Sequence, residues 1–335
     1  MSQETTDTAA GRLLIHNLVR EDASLGFSVD VRRGLLARPK QLFPKYLYDE
    51  LGSSLFEAIC LLPEYYLTRA ENEILTRYAD EIAASVEGHL TLLEMGSGSA
   101  TKTRLIIEAV LRRQSELRFI PVDISASALE TSSRVLLQSY PRLKITAYAS
   151  DYYDGLNALQ RDAERQRTLA LFLGSNIGNF DANEAHTFLR ALRGVLSEGD
   201  ALLLGADLRK AKPTLEAAYD DALGVTAAFN LNLLARINRE FDADFDIRAF
   251  KHYVEYNSSL GRVEVYIESL REQRVRLRKL DIEASFTTGE RIHTENSYKY
   301  DLDGLSALAS ATGFKRARTW LDEGRQFSSN LFMVV

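Results

Sequence analysis

From residue 90 onward, short apolar runs alternate with stretches whose apolar positions recur at helical spacing. Leu90 to Met95 is a run broken only by Thr91 and Glu94, and Gly96-Ser97-Gly98-Ser99 then turns the chain. Leu105, Ile106, Ala109 and Val110 mark one face of a following helix. A second strand, Arg118 to Val122, ends at Asp123, and a helix is expected over about 126–139. A third strand, Lys144 to Ala149, ends at Asp151, and a fourth, Thr168 to Leu173, runs into Gly174-Ser175-Asn176-Ile177-Gly178-Asn179. Asp181 and Glu184 cap a helix with the face Phe188, Leu189, Leu192 and Leu196. Gly199 stops it, and a fifth strand, Ala201 to Gly205, ends at Asp207. Strands separated by helices in this rhythm predict βαβ units and a parallel sheet. The strands read as continuous apolar runs because such a sheet is covered on both faces.

The flanks differ. Residues 1–10 are polar and read as a disordered tail. Thr68 and Glu71 form a capping-box pattern ahead of Ile74, Leu75, Tyr78 and Ile82, which predicts a helix over about 68–85. After about residue 209 a long helical stretch, 213–240, gives way to three β-like segments: His252 to Tyr256, Arg262 to Leu270 and Val275 to Phe286. Strands following an α/β block suggest a second structural unit. The chain closes with a helix, Leu302 to Thr312, and two strands, Ala317 to Leu321 and Ser328 to Val334, around the turn Asp322-Glu323-Gly324-Arg325.

Ligands of an open parallel sheet sit beyond the carboxyl ends of its strands. Here those ends carry Gly96, Asp123, Asp151, Gly174 and Asp207. Gly96 and Gly98 let a ligand approach the backbone closely. Taken singly, the loop could be only a tight turn and Asp123 a helix cap near Ser125. A dinucleotide fingerprint fits poorly, since Thr101 replaces its third glycine and Asp123 comes later than the roughly 20 positions that fingerprint wants. Glu94 inside an apolar strand calls for a partner.

Charge and composition narrow the partners. The 335 residues carry a net charge of −6, so no basic field attracts nucleic acid or anionic lipid. The single cysteine, Cys60, allows neither an internal disulfide nor a thiolate cluster, and the five histidines are scattered, so no metal is expected. Residues 1–11 lack the blocks of a signal peptide, and no apolar run approaches the roughly 18 residues of a membrane span. The expectation is a cytoplasmic monomer that handles a small molecule.

The order Glu94-Met95-Gly96-Ser97-Gly98 resembles the first motif of class I methyltransferases. A wider set of segments resembles the histidine-specific Nα-methyltransferase family of ergothioneine biosynthesis. They are Tyr48-Asp49-Glu50-Leu51-Gly52-Ser53, Leu62-Pro63-Glu64-Tyr65-Tyr66, Thr68-Arg69-Ala70-Glu71, Lys102-Thr103 and Phe172-Leu173-Gly174-Ser175-Asn176-Ile177-Gly178-Asn179. Ala218-Tyr219-Asp220-Asp221, Gly224-Val225-Thr226, Phe229-Asn230 and Thr294-Glu295-Asn296-Ser297 extend the match over about residues 40–335. The resemblance implies an α/β class I (Rossmann-like) sheet with an antiparallel carboxyl-terminal edge, plus an α+β substrate-binding domain. The domains it implies are 12–67 with 209–298 for substrate, and 68–208 with 299–335 for cofactor, after a flexible 1–11.

It further implies S-adenosylmethionine as cofactor and three methyl transfers to free histidine, giving hercynine. Tyr48 and Gly174 would lie at the substrate amine. Asn179 and Tyr219 would hold the α-carboxylate. Tyr65 would lean toward the imidazole, with Glu295 and Ser297 on its ring nitrogens. Gly96, Gly98, Lys102, Asp123, Asp151 and Tyr152 would bind the cofactor. Apart from the family, Tyr48, Tyr65 and Tyr66 read as core aromatics, Glu295 as a solvated carboxylate and Asn179 as a turn residue. Where the family's histidine enzymes carry methionine, this chain has Val265, which would leave room for a larger aromatic amino acid such as tryptophan. The rival readings are a non-catalytic adenosine-binding module, a methyltransferase of nucleic acid or protein, and an oxidoreductase.

Overall fold

The computed structural model describes residues 3–7, 11–18, 23–160 and 166–335. Among them the strands are β1 (Gln3–Asp7), β2 (Leu13–Asn17), β3 (Lys40–Gln41), β4 (Leu90–Met95), β5 (Leu117–Asp123), β6 (Leu143–Ala149), β7 (Arg167–Phe172), β8 (Ala201–Asp207), β9 (Phe250–Asn257), β10 (Arg262–Ser269), β11 (Gln273–Leu277), β12 (Ile282–Phe286), β13 (Arg291–Tyr298), β14 (Phe314–Leu321) and β15 (Phe327–Val334). The chain divides into two compact units. One comprises the described residues of Met1–Val19, Arg69–Leu208 and Tyr300–Val335, and the other those of Arg20–Thr68 and Arg209–Lys299.

The first unit is built on a nine-stranded sheet in the order β1-β2-β6-β5-β4-β7-β8-β15-β14. The six strands from β2 to β8 run parallel, and the hairpin β14–β15 adds the antiparallel carboxyl-terminal edge expected from the resemblance. From β4 the chain winds outward first through β5 and β6, then on the other side through β7 and β8. The strand order therefore reverses at β4, where a crevice for ligands forms at the carboxyl ends. Strands β4 and β8 are buried at every position, which explains their unbroken apolar character. The helix Ala182–Val195 begins with the capping box Asp181–Glu184 and lays Phe188, Leu189 and Leu192, all 0% exposed, on the sheet. Burying each such side chain contributes about 1.5–3 kcal/mol, an upper bound set against an extended chain.

Two expectations change here. Gln3–Asp7 is not a tail: it pairs antiparallel with Leu13–Asn17, which itself pairs parallel with β6. Backbone pairing thus places residues 13–17 in the sheet rather than in the substrate unit to which residues 12–67 were assigned. The other residues expected in the tail, 1–2 and 8–10, lie outside the described residues. Thr68 and Glu71 do not form a capping box either. Their helix, Tyr66–Ala84, starts two residues before Thr68, and the Glu71 side chain serves elsewhere.

The second unit carries the sheet β3-β13-β10-β9 and the separate hairpin β11–β12. The segment read as one strand from Val275 to Phe286 is this hairpin, turned at Asp281 with φ +49°. The expected long helix over 213–240 is also two, Lys212–Ala217 and Val225–Phe241. Gly224, with φ +75°, stands at the start of the second and breaks the helical path. Strand β13 holds the segment Thr294–Ser297. Its register against β10 shifts by one residue, so that Val265 faces Glu295 while Tyr266 faces His293. Such a bulge reverses which residues share a face. His293 accordingly turns to Asn296, its Nε2 lying 2.8 Å from Oδ1, while Glu295, Ser297 and Lys299 alternate onto the opposite side.

Candidate active-site residues

In the first unit the candidate cofactor residues follow the tips of β4, β5 and β6. Gly96 (φ +73°) and Gly98 (φ +49°) make a turn that L side chains adopt with strain. The N–H of Gly98 donates to Asp123 Oδ2 at 2.9 Å, and that of Ser125 to Oδ1 at 2.9 Å. Burial raises the Asp123 pKa, against these backbone N–H groups. Each carboxylate oxygen keeps a second acceptor site, enough for a pair of hydroxyls. Glu94 is 3% exposed. Its Oε1 accepts from Thr103 Oγ1 at 2.6 Å, and its buried Oε2 has no hydrogen-bond partner among the described residues. Burial pushes the Glu94 carboxyl up to about 8, opposed by the Thr103 hydrogen bond and the charge of Lys102.

Tyr152 packs among Phe172, Phe180 and Phe188, with ring centroids 5.3–6.1 Å apart. Its hydroxyl lies over the glycine turn: a β-carbon at Gly96 would stand 2.8 Å from that oxygen and 3.0 Å from Asn176 Nδ2. The close approach gives a prediction. Gly96→Ala must displace the Tyr152 phenol and the Asn176 amide while holding alanine at positive φ, a strain of about 1–3 kcal/mol. Calorimetric affinity for S-adenosylhomocysteine is expected to fall about tenfold, and an unchanged affinity would refute the cradle. Asp151 is exposed and caps the helix Tyr152–Leu159 by accepting from Asp154 N–H at 2.8 Å.

Two residues here carry a role at the site that the sequence reading does not give them. Glu71, 0% exposed, accepts from the N–H of Gly174 at 3.0 and 2.9 Å through its two oxygens and pairs with Lys102 Nζ. Asn176 sits in the short 3-10 turn Asn176–Asn179, set by Ser175 at φ +60°. Both lie inside segments that carried the resemblance. Their sequence signal was the motif, while their role depends on which strand tips the fold makes neighbours. Gly174 and Asn179 belong to this unit with the cofactor candidates.

The remaining substrate candidates lie in the second unit. Tyr219, Tyr65, Phe56, Phe229 and Tyr48 form a continuous aromatic row, with neighbouring centroids 5.5–6.1 Å apart. Burial raises the Tyr65 pKa well above its ordinary value, helped by nearby Tyr219 and, less strongly, by Glu295. Glu295 is only partly exposed, unlike the solvated carboxylate its type suggests. Burial pushes it up to about 7, opposed by the charge of Lys299. Val265, 3% exposed, stands directly across from it, and directly paired residues share a face. Ser297 Oγ lies 2.7 Å from Tyr219 Oη. The structure therefore brings Tyr65, Tyr219, Val265, Glu295 and Ser297 together, with Tyr48 farther along the aromatic row.

Comparison with known proteins gives the same direction. Residues 27–334 match the family model described as histidine-specific methyltransferase, SAM-dependent. A histidine N-alpha-methyltransferase of Mycobacterium tuberculosis is 43% identical, covering 96% of this chain and 99% of that one. Its counterpart in Mycolicibacterium smegmatis is 41% identical, covering 95% and 98%. Ergothioneine biosynthesis protein 1 of Neurospora crassa is 32% identical over 84% of this chain and 32% of its own length. With a match running from the first helix of the second unit to the last strand of the sheet, the chain belongs to the histidine-specific, S-adenosylmethionine-dependent methyltransferase family.

Proposed function

We propose that this protein methylates the α-amine of free L-histidine three times, giving hercynine, the first step of ergothioneine biosynthesis. The observation that carries the reading is Glu295. It is a partly buried acceptor with an apolar residue across from it and Tyr65 nearby, which suits a flat ring bearing N–H groups. The residues of the first unit fit S-adenosylmethionine. Gly98 leaves open space above the turn, and Glu94 keeps a buried oxygen with no hydrogen-bond partner among the described residues. When bound, that cofactor supplies an electrophilic methyl group on a sulfonium centre.

The protein's part is to hold and orient. Glu94, Gly96, Gly98, Lys102, Asp123, Asp151 and Tyr152 would hold the cofactor. Asn179 and Tyr219 would hold the carboxylate, and Glu295 with Ser297 the ring. Fixing both reactants in an attack geometry lowers such a barrier by roughly 7–11 kcal/mol. The amine attacks only when neutral, so it must lose a proton before each transfer. Tyr48, 5.5 Å from Phe56 and from Phe229 by ring centroids, would offer the amine a hydroxyl and an aromatic face, and Gly174, in the first unit, is a candidate on the cofactor's side. We take the chain as a monomer acting on small molecules, without nucleic acid or membrane. Among the described residues no helix is long and apolar enough to cross a membrane.

The test is direct. Purified protein with S-adenosylmethionine and each proteinogenic amino acid should give mono-, di- and trimethylated histidine by mass spectrometry. Methylation of none of them would remove the reading. Val265 favours a second substrate, tryptophan, because valine leaves more room beside Glu295. A methylene or two discriminates by only about 1–3 kcal/mol, so competition between the two amino acids decides it.

A further inference from the structure

Lys299 follows directly after β13, on the side that carries Glu295 and Ser297, and is 2% exposed. Its Nζ donates to Tyr219 Oη at 2.9 Å and to Ser297 Oγ at 2.8 Å. With those two oxygens 2.7 Å apart, the three atoms close a triangle. The ammonium also lies 4.6 Å from the centroid of the Tyr219 ring. An ammonium has three donors and no acceptor. Both oxygens therefore receive a proton from Lys299, and neither can turn its own proton back toward it. One hydroxyl proton fills the Tyr219–Ser297 edge, and the other must point away from Nζ.

We propose that Lys299 is a positioning residue that restricts hydrogen bonding in this triangle to two senses, between which the substrate chooses, and thereby couples recognition of the two ends of the substrate. The proposal rests on the histidine reading above. Ser297 gives its proton to Tyr219, and Tyr219 gives its own to the substrate's α-carboxylate. The second lone pair of Ser297 is then left to accept from the ring N–H, beside Glu295. A phenol is the more acidic of the two hydroxyls, and an anion strengthens a hydrogen bond aimed at it. The carboxylate thus selects this sense over the reverse one, in which Ser297 would be a donor and would clash with a ring N–H. An amine lacking the carboxylate gives no such selection.

The experiment compares wild type with Lys299→Met, which keeps length and removes the donors. Histidine KM is expected to rise about tenfold, the loss of a charge-assisted hydrogen bond, with the effect on KM rather than kcat and with S-adenosylhomocysteine affinity unchanged. Inhibition by histamine, which lacks the carboxylate, should weaken much less. In a Tyr219→Phe background the Lys299 change should add little. A purely structural role would instead weaken histidine and histamine equally and add to Tyr219→Phe, overturning the proposal. Lys299→Gln, neutral but still a donor, is read in the same way if the methionine variant does not fold. If neither can be recovered folded, Lys299 belongs to the fold and the proposal fails. Wild type that methylates no histidine would sink the reading beneath it. Active wild type with an unaltered Lys299→Met profile would sink this inference alone.

Discussion

Glu295→Ala is expected to raise the KM for histidine by about 10- to 100-fold, the range for losing a hydrogen bond to a charged acceptor, while affinity for S-adenosylhomocysteine stays as in wild type. The carboxyl belongs to the second unit, and the cofactor candidates belong to the first, so the two affinities should separate. Equal losses in calorimetry with each ligand would contradict the assignment. Glu295→Gln refines the test, since glutamine keeps an acceptor but cannot ionise.

The pH dependence follows from the raised carboxyl. Burial lifts Glu295 from 4.5 to about 7. Its contribution to folding stability is therefore fully present below 4.5 and is lost as the pH rises through about 7. Histidine binding runs the other way, because the ring N–H prefers the ionised carboxylate. The kcat/KM profile should gain a rising limb near 7 that Glu295→Gln lacks. The substrate imidazole also titrates, near about 6.5, but it does so with both proteins, so their difference isolates Glu295. Superimposable profiles would remove the carboxylate from ring recognition.

Much of the first unit could be read from sequence because burial on both faces of a parallel sheet leaves a local mark. Leu90–Met95 and the helix Ala126–Ser139 fall where the apolar pattern puts them, and Asp181 with Glu184 caps as its spacing says. The misreadings share a cause, namely strand pairing and turns that the apolar pattern does not encode. Gln3–Asp7 is polar and gains order only by pairing with β2. Val275 to Phe286 reads as one β-like segment, and the turn at Asp281, with its positive φ, folds it into a hairpin. The bulge in β13 is equally silent in the sequence, yet it turns His293 away from the side that Glu295, Ser297 and Lys299 share by ordinary alternation. The resemblance supplied Glu295 and Ser297 as candidates. It could not supply Lys299 or Glu71 because their roles lie in what their side chains touch.

Glu71→Ala should have the largest effect on the fold around the cofactor candidates. The wild-type carboxylate, 0% exposed, satisfies the Gly174 N–H and pairs with Lys102, joining the helix Tyr66–Ala84 to the tip of β7 and to the start of the helix Thr103–Leu111. Gly205 in β8 makes room for it, since a β-carbon there would collide with Glu71 Oε1. Alanine leaves a half-buried N–H without its acceptor and an ammonium without its counter-charge. Breaking a buried pair from one side costs about 3–5 kcal/mol. The lower end is expected here because the Lys102 side chain is 24% exposed and can recruit water. Glu71→Gln separates the two roles. Its amide oxygen can still accept from Gly174, so thermal stability should largely return, but its NH2 cannot hold Lys102. S-adenosylhomocysteine affinity should therefore stay reduced in both variants while the melting temperature recovers only in Glu71→Gln. If both variants melt and bind cofactor as wild type does, Glu71 does not organise the tip of β7, and the placement of Gly174 and Lys102 needs another cause.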